Sequence, residues 1–92
     1  MQNYEIMVVV RLMPEENLNT IIEKTKSIIT ADGNVNKVDN WGEKRLAYEI
    51  SGLNTGIYLL FTYNGTPNMT KEVDRYMKIN DDILRHMIVR KN

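Results

Sequence analysis

Cysteine is absent from this chain. Disulfides, thiolate metal sites and a cysteine nucleophile are therefore excluded, and the composition suits a reducing compartment such as the cytoplasm. Histidine occurs once, at His86, where local packing or bonding at the end of a strand is the expected role. No glycine-rich phosphate loop and no cluster of histidines and carboxylates at ligand spacing occurs. Asp81-Asp82 could suggest a metal pair, but it falls where a helix gives way to a turn, a place where Asp bonds backbone groups. Nothing marks an enzyme, and neither a metal nor a cofactor is expected. Long apolar runs are missing too. Met7 to Val10 is too short for a signal or membrane segment, and no basic region precedes it.

Net charge is the next absence. Twelve Lys and Arg balance twelve Asp and Glu, whereas an autonomous RNA binder is distinctly basic. The charges are unevenly placed. Residues 83–92 carry Arg85, Arg90 and Lys91 and no acid, while residues 13–23 hold Glu15, Glu16 and Glu23 and no base. A neutral chain with a basic end can touch RNA at a few phosphates, but it should bind weakly alone and need a second protein to hold it there.

What is present is enough for one domain over residues 1–92. With 92 residues, 42% of them hydrophobic, the chain can bury roughly 60–65% of the surface its unfolded form exposes, so disorder is not expected. Tyr4, Ile6, Val8, Val10 and Leu12 alternate with Glu5, Met7, Val9 and Arg11, which predicts a strand over 4–12. Pro14 suits the start of a helix, and Glu15 and Glu16 favour its positive end. Leu18, Ile21, Ile22, Thr25, Ile28 and Ile29 follow at helical spacing, and Gly33 sits where a left-handed cap is wanted. A long interrupted strand over 34–51, a turn-rich connection over 52–56 and an aromatic-rich strand over 57–63 come next. Gly65-Thr66-Pro67 breaks that strand. A second helix turns Met69, Val73, Tyr76 and Met77 inward, and a last strand runs over 83–90. The order β-α-β-β-α-β predicts an α+β, ferredoxin-like sandwich, a four-stranded antiparallel sheet with two helices on one face.

Residues 41–48, Trp41-Gly42-Glu43-Lys44-Arg45-Leu46-Ala47-Tyr48, are the most informative stretch. Gly42 permits a bulge. Trp41 could anchor that bulge by packing or stack on RNA, with anchoring expected. Lys44 and Arg45 place two cations at a sharp backbone feature, a possible phosphate-contacting corner, although a strand edge also carries Lys as protection against pairing. This motif, together with Tyr4-Glu5, Gly56-Ile57-Tyr58 and the segment Asn80-Asp81-Asp82-Ile83-Leu84-Arg85-His86-Met87, resembles the bacterial family of the sixth protein of the small ribosomal subunit. The resemblance covers nearly the whole chain, with its motifs in order. It implies a structural, non-catalytic role in translation: binding the small-subunit ribosomal RNA in its central region, as a heterodimer with the eighteenth small-subunit protein. The chain departs from the family at Gln2 and Asn3, where many members carry arginine, and at Glu49, where many carry proline. Many members also extend into a charged tail past the last strand, and any function of that tail is expected to be absent here.

Two sets of site residues follow. Lys44, Arg45, Arg85, Arg90 and Lys91 are expected to contact RNA phosphates. Alternation also puts Met7, Val9, Tyr58, Leu60 and Met87 on the sheet face the helices leave uncovered, a surface too apolar for comfortable exposure and rich in the Met and Tyr that interfaces favour. These five are expected to meet the protein partner. Base stacking through the sheet is not expected, because Tyr58 is the only aromatic available on that face. The rival expectation is a regulatory module of the same fold that binds a small ligand and homodimerises through that face, although residues 11–15 offer it no glycine-rich loop.

Overall fold

A computed structural model describes residues 1–91. Six elements follow in the expected order: β1 (Gln2–Val10), α1 (Glu15–Thr30), β2 (Gly33–Ile50), β3 (Leu53–Gly65), α2 (Pro67–Ile79) and β4 (Ile83–Lys91). The strands form one antiparallel sheet in the order β2-β3-β1-β4. Tyr4, Ile6, Val8 and Val10 of β1 and Leu59, Phe61 and Tyr63 of β3 bury against Leu18, Ile21 and Ile29 of α1 and Met69, Val73 and Met77 of α2. Tyr4 and Tyr63, opposite one another in the ladder, stack at 5.2 Å between ring centres. Thr25 is also fully buried; its hydroxyl donates to the Ile21 carbonyl at 2.8 Å, so burial leaves it satisfied.

Local chemistry sets the helix ends. At the start of α1 the Pro14 carbonyl accepts from the Asn17 and Leu18 amides. The Thr66 hydroxyl accepts from the Met69 amide at 3.2 Å and donates to Asp32 at 3.1 Å, with Pro67 in the first turn of α2. That cap ties the end of α1 to the start of α2.

Three local expectations are corrected. The first strand stops at Val10, and Leu12, expected in its core-facing row, is 48% exposed. Gly33 does not cap α1, whose C-cap is a right-handed Ala31. It opens β2 opposite Gly65, and a Cβ at either position would run into the Met69 side chain that lies across the pair. The connection over 52–56 is far tighter than expected. Ser51 and Gly52 alone turn the chain, at φ 52° and 78°, the pair of positive values that a two-residue type I′ hairpin requires.

Candidate interaction surfaces

The sheet face opposite the helices is built in rows, because the ladder register sets one residue of each strand beside the next. Leu60, Met7 and Met87 form one row across β3, β1 and β4, and Tyr58, Val9 and Arg85 form the adjoining one. Met87 is 57% exposed, Val89 40%, and Met7, Tyr58 and Leu60 are partly exposed. Thr62, Glu5 and Val89 form the next row. Toward the chain ends the face turns polar, with Lys91 paired to Glu5 at 3.6 Å, and on β2 Asp39, opposite Leu60, flanks the Leu60–Met7–Met87 row and pairs with Lys37 at 3.4 Å. Four of the five residues expected at a partner surface therefore lie on an uncovered, continuous patch.

Val9 is different. It sits on that face yet is only 4% exposed, because the hairpin of β2 and β3 covers it. Beyond the Val10–Ile57 pair these two strands run on as a ribbon without β1 (Glu43 opposite Ile57, Lys44 opposite Gly56, Arg45 opposite Thr55). The expected bulge is there: Gly42 has φ 78°, the register shifts at that point, and the Asn40 side-chain carbonyl accepts from the Gly42 amide at 2.8 Å. A further register shift between Arg45 and Ile50 falls around Glu49, where proline was the family pattern. Bulges bend a ribbon, and this one bends onto the open face. Leu46 is 8% exposed, and a Cβ built on Gly56 would lie 2.7 Å from a Val9 methyl and 3.6 Å from Leu46. Only glycine lets the ribbon come this close. The Tyr48 hydroxyl accepts from the Arg85 guanidinium at 2.7 Å, with the guanidinium carbon 5.8 Å from the ring centre. Tyr48, read as one residue of an alternating strand, thus bonds to the far edge of the sheet. No local pattern signals that, since the partner is 37 residues away.

The five expected phosphate contacts do not form one cluster. Lys44 and Arg45 are exposed on the ribbon. Arg90, also exposed, stands beside Tyr4 at the opposite end of β1 from Val10, roughly 20 Å away at the rise of a strand. Arg85 is taken up by Tyr48 and Lys91 by Glu5. Among the described residues Lys44, Arg45 and Arg90 have no ion-pair partner. Trp41, beside the bulge in sequence, keeps 47% of its surface exposed.

His86 bonds locally, as expected: it points to the helical side at the sheet edge and meets Asp74 of α2 at 2.7 Å, while Lys78 holds the other Asp74 oxygen at 2.8 Å. The His86 bond first, then Lys78, holds the Asp74 carboxyl below its ordinary pKa. Burial raises the Tyr63 phenol, whose hydroxyl bonds Thr70 at 3.0 Å. Asp82 pairs with Arg11 at 3.5 Å, and the backbone-bonding role expected of the Asp pair falls to Asn80, whose side chain accepts from the Asp82 amide at 2.9 Å. Among the described residues no three His, Cys, Asp or Glu converge as metal ligands, and no helix is long and apolar enough to cross a membrane.

A filled helical layer on one side of a four-stranded antiparallel sheet, with the other side left bare, defines an α+β protein of the split βαβ, ferredoxin-like class. The family model described as Ribosomal protein S6 matches residues 3–90. The small ribosomal subunit protein bS6 of Desulforamulus reducens is 47% identical, covering 98% of this chain and 97% of that one, and its counterpart in Clostridioides difficile is 41% identical, covering 97% and 98%. The crystal structure of 30S ribosomal protein S6 from Thermotoga maritima superposes with a TM-score of 0.91 at 27% identity, over 98% of this chain and 87% of that one. The chain belongs to the ribosomal protein S6 family. It is a structural component of the small ribosomal subunit, not an enzyme, and as such belongs in the cytoplasm.

Proposed function

We propose that the chain binds small-subunit ribosomal RNA jointly with the eighteenth small-subunit protein, the protein partner taking the open sheet face and the RNA meeting Lys44, Arg45, Arg90 and Lys91. The observation that carries this reading is the continuous row Leu60–Met7–Met87, left bare on a chain of zero net charge. Apolar surface of that kind is removed from water by a protein. A few separated cations give RNA affinity only when a partner adds contacts of its own. Lys91 belongs in the set because its pairing with Glu5 is solvent-exposed at 3.6 Å and yields readily to a phosphate.

The test is a salt titration of ribosomal RNA binding by the chain alone and by the reconstituted pair. Alone, affinity should be weak and its salt dependence shallow; with the partner it should rise sharply. Replacing Arg90 and Lys91 by Ala in the pair should flatten the slope of log affinity against log salt by about two units, one per phosphate. Equal RNA affinity with and without the second protein would overturn the reading.

A further inference from the structure

The ribbon beyond the Val10–Ile57 pair has only two strands, and an isolated two-stranded hairpin is marginal in water. Something must hold it against the sheet. The register row Gly42–Tyr58–Val9–Arg85 crosses all four strands, so Gly42 lies about 14 Å, three strand spacings, from Arg85, and Tyr48 meets that arginine because the ribbon beyond Gly42 folds back over the sheet. Leu46 and Val9 seal the underside, and Leu46, Ala47, Tyr48 and Ile50 enclose with Val9, Tyr58 and Arg85 a remnant space of about 50 Å³. The two unpaired cations Lys44 and Arg45 directly precede Leu46. They are therefore fixed in space only when the ribbon is fixed.

The geometry points to Tyr48 and Arg85 as a latch that closes the ribbon over Val9 and so positions Lys44 and Arg45 as a preformed phosphate site. Arg85 accordingly acts as a positioning residue and is withdrawn from the phosphate-contacting set. The inference rests on the proposed RNA role of Lys44 and Arg45. It adds that their competence depends on a bond made on the opposite edge of the sheet.

Tyr48→Phe removes the hydroxyl and leaves the ring, and Arg85→Lys keeps the charge but loses the planar guanidinium. Both sites are exposed, so the core is untouched. In the free protein, hydrogen exchange of the amides over 45–55 should quicken at least tenfold in either variant, with β1 unchanged. In the reconstituted pair, RNA affinity should fall about five- to tenfold in both. In a Lys44→Ala, Arg45→Ala background Tyr48→Phe should cause no further loss. Unchanged exchange over 45–55 would refute the latch. So would full affinity in Arg85→Lys, because a direct phosphate contact tolerates Lys, or an undiminished Tyr48→Phe loss when the two cations are gone. A wild-type pair that fails to bind RNA would instead strike the function on which the inference rests, and that result is read in the same titration.

Discussion

Neighbouring leucines on β3 offer a direct test of which sheet face does what. Leu59 is fully buried against the helices, whereas Leu60, one residue on, lies on the open face opposite Met7. Truncating Leu59 to Ala removes packed methyl groups from a site with no access to water and should cost about 2–5 kcal/mol. A domain of this size loses about 4–8 °C of melting temperature per kcal/mol, so a cost of about 3 kcal/mol lowers the Tm by about 12–24 °C. The variant still folds at room temperature if the parent has the usual 5–15 kcal/mol, roughly, of stability. Leu60→Glu vacates no core volume, and its carboxylate reaches water in the free protein, so the change in stability should stay within about 1 kcal/mol. In the proposed heterodimer the same carboxylate would be desolvated and unpaired, at a cost of about 3–5 kcal/mol, which would weaken the Kd by roughly two to three and a half orders of magnitude. Thermal melts followed by circular dichroism and calorimetric titration with the partner give both quantities. A Leu60→Glu protein that melts as low as Leu59→Ala yet binds normally would mean that the two faces are reversed. One that melts and binds normally would remove the open face from the interface.

Thr66→Ala deletes the hydroxyl that caps α2 and bonds Asp32; the expected loss is about 1 kcal/mol, seen as a Tm lower by about 4–8 °C. Asp74 has a depressed pKa in the folded state, so the stability it contributes is present above its ordinary pKa and is lost as pH falls through the depressed value. Denaturant titrations from about pH 5 downward should show wild type ahead of Asp74→Asn at the start, with that margin closing below about pH 4. A margin that widens in acid would contradict the assignment.

The element order and the two sheet faces were legible in the sequence because both depend on short periods. Ile6, Val8 and Val10 alternate with Glu5 and Met7, and Leu18, Ile21, Thr25 and Ile29 recur at the helical interval, so each segment announces which side is buried. The bulge was legible as well, since Gly42 next to Trp41 interrupts an otherwise regular strand. The errors share a cause. Ser51-Gly52 turns the chain in two residues, but nothing in a stretch with glycines at 52 and 56 tells which glycine makes the turn. Gly56 serves a different need, close passage over Val9, and Gly33 likewise makes room beneath Met69. Such close approaches link distant segments and leave no local pattern. The candidate site was half legible for the same reason. Alternation placed Met7, Tyr58, Leu60 and Met87 on the open face, but the covering of Val9 and the engagement of Arg85 arise only once the ribbon folds back.

The first strand made is the one that ends up in the middle. β1 lies between β3 and β4, so during synthesis its apolar run Ile6-Met7-Val8-Val9-Val10 waits for partners on both sides. One side is closed when β3 leaves the ribosome, but the other stays bare until residues 83–91 emerge in their turn. A nascent chain halted before Ile83 would display an unpaired apolar edge with every feature that favours intermolecular pairing. For a protein made by the machine it helps to build, clearing the last strand from the exit tunnel is what converts a sticky intermediate into a closed sheet.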